Sequence, residues 1–413
     1  ESLCRYGKMC LDRAEFRKAE YYYNKALVLM RGIQDEWGIA KAVHSLSQLH
    51  LVTGRFAEGL PHVLDSVAMF RKIGDVAELI QCLHFQYLYY YFLSEYDKTH
   101  AVNDERYELC VACGEQYGKI GVLIDRTIVC LETGRYEEAA RWGRESLEES
   151  AAREFRLLQC GALIQLGRLA LEEEDHDRAV ACLEQARTLF EKYGLVKQYS
   201  VDLFYFLAEA LIERFRKTSG RDYLAGQGRS GLDKALQAEL AAIRAVCVKS
   251  LHISRDWVNH HMGALRANAR YHALVGNNRK ADQLYGKCIA LLEKLGKKYE
   301  LARVLYQYSL FLRERGRAGE ANSLLGRAYG IFKDIGSTVY RDKCAALLGI
   351  GKLSTNIIER LADKQRFSSI ITVSRNISSI LNIGELMQNV LTNAIEVTGA
   401  QSGILFITDD GSG

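Results

Sequence analysis

Short segments of similar make-up recur at a constant stride along this chain, and no other feature restricts its fold so much. The runs AEFRKA, GRFAEG, SEYDKT, GRYEEA and DHDRA end at Ala19, Gly59, Thr99, Ala139 and Ala179, each 40 residues after the one before. Further on, NNRKA and GRAGEA end at Ala281 and Ala321, again 40 apart. Three residues before these small landmarks stand Phe16, Phe56, Tyr96, Tyr136 and His176. Fifteen residues after five of them stand Gly74, Gly114, Gly194, Gly296 and Gly336.

Between landmark and glycine the apolar residues recur at three and four, as from Ala179 to Phe190, which predicts a helix with one buried face. The trailing glycine suits a helix C-terminus, where the left-handed conformation is cheap only without a β-carbon. A second helical run precedes each landmark, for example 39–52 and 302–313. Each unit therefore reads as two antiparallel helices joined by a tight turn. The small landmark lets the helices approach, and the aromatic before it fills the gap towards the neighbouring unit. One pair cannot hide its own apolar face, so the units must stack into a superhelix. Composition agrees, because a single proline in 413 residues fits a chain that is nearly all helix. The ladder breaks between Ala179 and Ala281, and the extra residues surround 218–231, a run with four glycines after Thr218. Neither a preceding strand nor a Lys-Ser/Thr pair accompanies it, so it reads as a flexible insertion rather than a phosphate loop.

The turn Gly134-Arg135-Tyr136-Glu137-Glu138-Ala139, with small residues such as Ala26, Ala186 and Ala328 seven after their landmarks, resembles the tetratricopeptide repeat in a longer variant. That variant occurs in helical-repeat arms of multidomain bacterial signalling proteins of the STAND ATPase type. The resemblance covers residues 1–350 and implies an all-α, right-handed superhelix of tetratricopeptide-like helix pairs. The usual proline near the repeat end is absent throughout.

After residue 350 the stride stops. Residues 351–382 read as a long connector helix. Leu386, Val390, Leu391, Ala394, Thr398, Gly399 and Ala400, then Gly403, Leu405, Phe406 and Ile407, resemble the opening helix and strand of a GAF domain, a small-molecule sensor. Residues 383–413 are thus expected to be the truncated α/β start of a GAF domain, its remaining strands missing. The order of parts is similar to that of large bacterial sensor kinases, histidine or Ser/Thr. An opening at Glu1 without an apolar leader, and an end at Gly413, suggest a piece of a longer cytoplasmic polypeptide.

Chemical motifs are scarce. The 55 Lys and Arg against 51 Asp and Glu leave a charge of +4, no electrostatic case for nucleic acid, and no apolar run is long enough for a membrane. Cys110 and Cys113 form a C-x-x-C without a second pair, so they read as core thiols rather than a metal site, and the 11 cysteines as reduced. His252, His260, His261 and His272 are too spread along a helix to share one ion. No nucleophile, acid–base set or cofactor motif converges, so the fragment is read as no enzyme, with no metal or cofactor. The run Phe85 to Phe92 is unusually aromatic, and Tyr87, Tyr89, Tyr90 and Tyr91 are the candidate partner-binding residues. On that reading Tyr89→Ala and Tyr91→Ala weaken partner capture without unfolding. The expected partners are a protein or peptide segment in the concave groove and other domains of the same polypeptide, with dimerisation through the connector helix. The expected function is interaction and signal relay within a sensor. The competing reading is an inducer-binding repeat arm of a STAND-type transcription regulator.

Overall fold

A residue in the left-handed backbone region marks each change of direction. Ala14, Gln34, Gly54, Gly74, Ser94, Gly114, Gly134, Glu154, Glu174 and Gly194 hold φ between +55° and +85°, each 20 residues after the one before. Gly276, Gly296, Gly316 and Gly336 resume the same interval. The 40-residue repeat is therefore two half-repeats of one helix and one turn. After such a residue the chain closes a six-to-one backbone bond, as in Arg55 N to His50 O at 2.8 Å and Arg135 N to Cys130 O at 2.8 Å. The next helix often starts on an acidic or amide cap: Asp35 accepts from Gly38 N at 3.0 Å and Asp75 from Glu78 N at 3.1 Å.

The computed structural model describes residues 2–195, 201–219 and 234–350, which hold seventeen α-helices and no strand. In chain order these are α1 (Ser2–Asp12), α2 (Phe16–Gly32), α3 (Glu36–Val52), α4 (Phe56–Ile73), α5 (Val76–Phe92) and α6 (Tyr96–Cys113). Then follow α7 (Gln116–Thr133), α8 (Tyr136–Ala152), α9 (Arg156–Glu172), α10 (His176–Tyr193), α11 (Asp202–Ser219) and α12 (Lys234–Ser254). The last are α13 (Val258–Leu274), α14 (Asn278–Leu295), α15 (Lys298–Arg313), α16 (Ala318–Asp334) and α17 (Thr338–Leu348). Consecutive helices pack against each other along the whole row, which is the superhelical stack of helix pairs expected from the repeat. Glu1–Leu348 makes one unit; a second, Gly349–Gly413, lies outside the described residues from 351 on. The expected connector helix, the GAF start and the glycine-rich segment 220–233 all fall outside them.

Packing explains the small landmarks. A Cβ on Gly59 would sit 2.6 Å from Cζ of Tyr89, so the ring of the next unit's first helix occupies that space. Leu49 with Ala19, Leu169 with Ala139, and Phe311 with Ala281 share buried clusters in the same relation, thirty residues apart. An aromatic before the landmark reaches the end of the following first helix: Phe56 stacks on Phe92 at 5.7 Å, and Tyr96 donates to Glu132 at 2.7 Å.

The row also returns beside itself. The turn after α3 meets the start of α13, where Asn259 Nδ2 donates to Leu51 O. The turn after α5 meets α15, Tyr299 N donating to Ser94 Oγ at 3.2 Å. The turn after α7 meets α17, with Ser337 Oγ donating to Glu132 O at 2.6 Å and Thr338 Oγ1 to Thr133 O at 3.3 Å. Each seam contact joins helices ten apart in the row. Lys297 adds its ammonium over the Phe92 ring at 4.1 Å, and Trp257 meets Phe16 edge-on at 5.9 Å.

Candidate functional site

Where the row closes, the first helices of several units bring charged side chains together. Glu132 at the end of α7 accepts from Tyr91 Oη and Tyr96 Oη, both at 2.7 Å, and lies 3.4 Å from Arg168 Nη2 on α9. Glu172, a repeat length later, accepts from Arg303 Nη2 on α15 at 3.0 Å, from Tyr340 Oη on α17 at 2.9 Å, and from Tyr136 Oη at 3.4 Å. Arg266 on α13 is fully buried; its Nε donates to Glu209 on α11 at 2.6 Å and its Nη1 to Glu300 on α15 at 2.5 Å. Arg270 pairs with Glu213. The cluster thus ties α9 to α15 and α17, elements more than a hundred residues apart in sequence.

Burial and charge compete at each group. For Glu300 burial alone would raise the carboxyl, but Arg266, Arg303 and Lys297 outweigh it and bring it to about 2. Burial likewise opposes ionisation of Glu209, and Arg266, Arg270 and Arg303 overcome it, so its pKa is lowered. At Glu132 burial prevails over Arg168 and the carboxyl is pushed up. Burial brings Lys297 down to about 8, with Glu300 and Glu132 opposing. Nη2 of Arg266 and Nε of Arg303 are buried donors with no acceptor among the described residues. Buried guanidinium N–H groups of this kind suit carbonyl or carboxylate oxygens.

The tyrosine run is divided by this packing. Tyr87 and Tyr89 are fully buried, their hydroxyls donating to Asp125 O at 3.3 Å and Ser47 O at 2.7 Å. Of the four side chains expected to meet a partner, these two rings fill the spaces between units, because a helix in the middle of a stack must bury opposite faces. Tyr91 is half-buried on Glu132, so it belongs to the charged cluster, and Tyr90 is half-buried beneath Lys98, 5.3 Å from its ring. Cys110 is buried, which pushes its thiol up to about 11, whereas Cys113 is exposed and is no core residue. Burial holds His260 down at about 3, and His261 hydrogen-bonds Ser254 Oγ at 3.1 Å. Among the described residues no group of histidine, cysteine and carboxylate could hold a metal ion, and no helix is long and apolar enough to cross a membrane.

None of the charged cluster was singled out by motif. Glu132 and Glu172 stand 40 apart at a ladder position that the exposed Asp12 and Glu314 also hold, so an acid there did not by itself mark burial.

The architecture defines a class, the tetratricopeptide-like helical-repeat superhelix. No family model matches the sequence, and no curated protein matches it. Among solved structures the fold is like that of a Rap protein complexed with Competence and Sporulation Factor, at 11% identity and a TM-score of 0.57, covering 78% of this chain and 85% of that one. The apo form of RapI aligns at 13% identity over 81% of this chain and 97% of its own, but its TM-score of 0.36 carries no argument.

Proposed function

We propose that the chain is a scaffold that captures a protein or peptide segment on the inner faces of its first helices. The observation that carries this reading is the buried charged cluster, with Arg266 Nη2 and Arg303 Nε lacking acceptors among the described residues. A segment offering carboxylates and main-chain carbonyls would satisfy them and compete with the Glu172–Arg303 pair. Binding would then open the seam and change the pitch of the superhelix. A Rap protein of similar fold has been solved in complex with Competence and Sporulation Factor, which is in keeping with capture of a factor by such a stack. Tyr90 and Tyr91 keep partial exposure and stay the candidates of the aromatic run.

The wider setting we infer is a repeat arm, residues 1–350, joined through a connector helix, 351–382, to a GAF domain starting in 383–413 of a bacterial STAND-type sensor, histidine or Ser/Thr kinase. The sequence pattern from Leu386 to Ile407 supports it. Reading the gene beyond codon 413 tests it: a complete GAF domain and kinase core are expected, and a DNA-binding helix-turn-helix would instead favour the regulator reading.

For the capture itself, a phage-displayed random peptide library panned on the full chain should enrich acidic sequences, and Arg303→Ala should lose them. Small-angle scattering should change when an enriched peptide is added. Failure to enrich any sequence refutes the reading.

A further inference from the structure

Three first helices open on an acid, and one opens on a lysine. Asp35, Asp75 and Glu115 stand at the caps of α3, α5 and α7, where each accepts from main-chain N–H groups of the opening turn. The same cap on α15 is Lys297, whose side chain makes no cap bond. A cation there meets the positive end of the helix dipole. Water screens it little, because the residue is only 7% exposed. Its ammonium donates to Asn259 O at 3.1 Å and lies over the Phe92 ring at 4.1 Å.

Part of that burial comes from the seam. Phe92 belongs to α5, and Asn259 itself donates to Leu51 O across the closure. Leu295, two residues before Lys297, lies against Gly54, where a Cβ would come within 2.5 Å of its Cδ2. The charged groups facing Lys297 are Glu300 on α15, Glu132 on α7, Arg266 on α13 and Arg168 on α9, and His260 on α13 senses it in turn. Both acids are engaged elsewhere, Glu300 by Arg266 and Glu132 by Tyr91, Tyr96 and Arg168. Closing the row thus strips water from a cation and returns to it, among the described residues, one carbonyl and one ring.

We propose that Lys297 is a built-in opposing charge: its ammonium biases the closed row towards opening, and opening of the seam takes up a proton at this amine. The inference concerns closure itself and does not rest on capture of a segment. Its sign follows from burial, which brings the amine from an ordinary 10.5 down to about 8. A closed row that holds the proton less tightly than an open one carries the full penalty below pH 8. The penalty fades by up to about tenfold per pH unit from there to 10.5, so the row closes more firmly as the solution becomes alkaline.

Trace acetylation of the full chain with acetic anhydride, read at Lys297 by mass spectrometry from pH 6 to 11, tests this. The amine should titrate near 8 in the parent. Gly54→Leu, which wedges the seam against Leu295, should return it towards 10.5. If Gly54→Leu loses the parent's helical melt by circular dichroism, Phe92→Ala serves in its place. In denaturant titrations the parent's unfolding constant, relative to that of Lys297→Met, should be flat below pH 7 and fall up to about tenfold per unit above pH 8. An amine that titrates at 10.5 in the parent, or a ratio that does not change with pH, overturns the proposal. So does an amine that stays near 8 in the seam variant, because its burial would then owe nothing to closure.

Discussion

At the residue scale, the turns and the ring-filled gaps govern how this chain tolerates change. Among the described residues five turns place a residue other than glycine in the left-handed region, Glu154 among them at φ +57°. Such a residue gives up roughly 1 kcal/mol against glycine there, so Glu154→Gly should raise the unfolding free energy by about that amount in a denaturant titration. Gly276 has open space beside it, and Gly276→Ala should lose about 1 kcal/mol through backbone alone. Gly134 differs, because its Cβ would meet Val339 Cγ2 at 2.7 Å across the seam. Gly134→Ala should lose clearly more, and equal losses would argue against that seam contact. Tyr89→Ala removes a fully buried ring and should cost about 3–5 kcal/mol, while Tyr90→Ala should cost under about 1 kcal/mol. The trailing glycines were legible in the sequence because glycine announces a left-handed residue. Gln34, Ser94 and Glu154 were not, since nothing in those residue types does.

Among elements, the helix pairs follow from a local rule and the charged cluster does not. A small landmark, apolar spacing at three and four and, in the first ladder, a ring three residues before the landmark specify each pair and its neighbour, so the stack could be read from single units. The cluster depends on which first helices face each other, and Arg266 on α13 finds Glu209 and Glu300 only in the assembled row. Its electrostatics give a pH signature. The Glu300 carboxyl sits at about 2 in the folded chain against an ordinary 4.5, so it contributes stability above pH 4.5 that is lost as pH falls through 2. The stability gap between the parent and Glu300→Gln, followed by thermal melts, should narrow steadily as pH falls from about 4.5 towards 2. A gap independent of pH would mean that Glu300 is not held by Arg266. Asp202, raised by burial to about 6, acts in the opposite sense, but it is common to both proteins and cancels in the comparison.

For the molecule as a whole, the decisive feature is the seam, and it was the least legible in the sequence. Its contacts join residues 205 positions apart, such as Ser94 with Tyr299 and Glu132 with Ser337. Their existence depends on superhelix pitch, which accumulates from a small rotation at every helix pair and has no local motif. On the proposed capture reading the closure also matters, because a row tied to itself must open before its inner helices meet a partner. Glu172 and Arg303 are the pair that reports it, 131 residues apart yet joined at 3.0 Å with both side chains buried. A double-mutant cycle with Glu172→Ala and Arg303→Ala, read as unfolding free energies, measures that closure directly. A coupling of about 1–3 kcal/mol is predicted, whereas losses that add to within about 0.5 kcal/mol would contradict a row that returns upon itself.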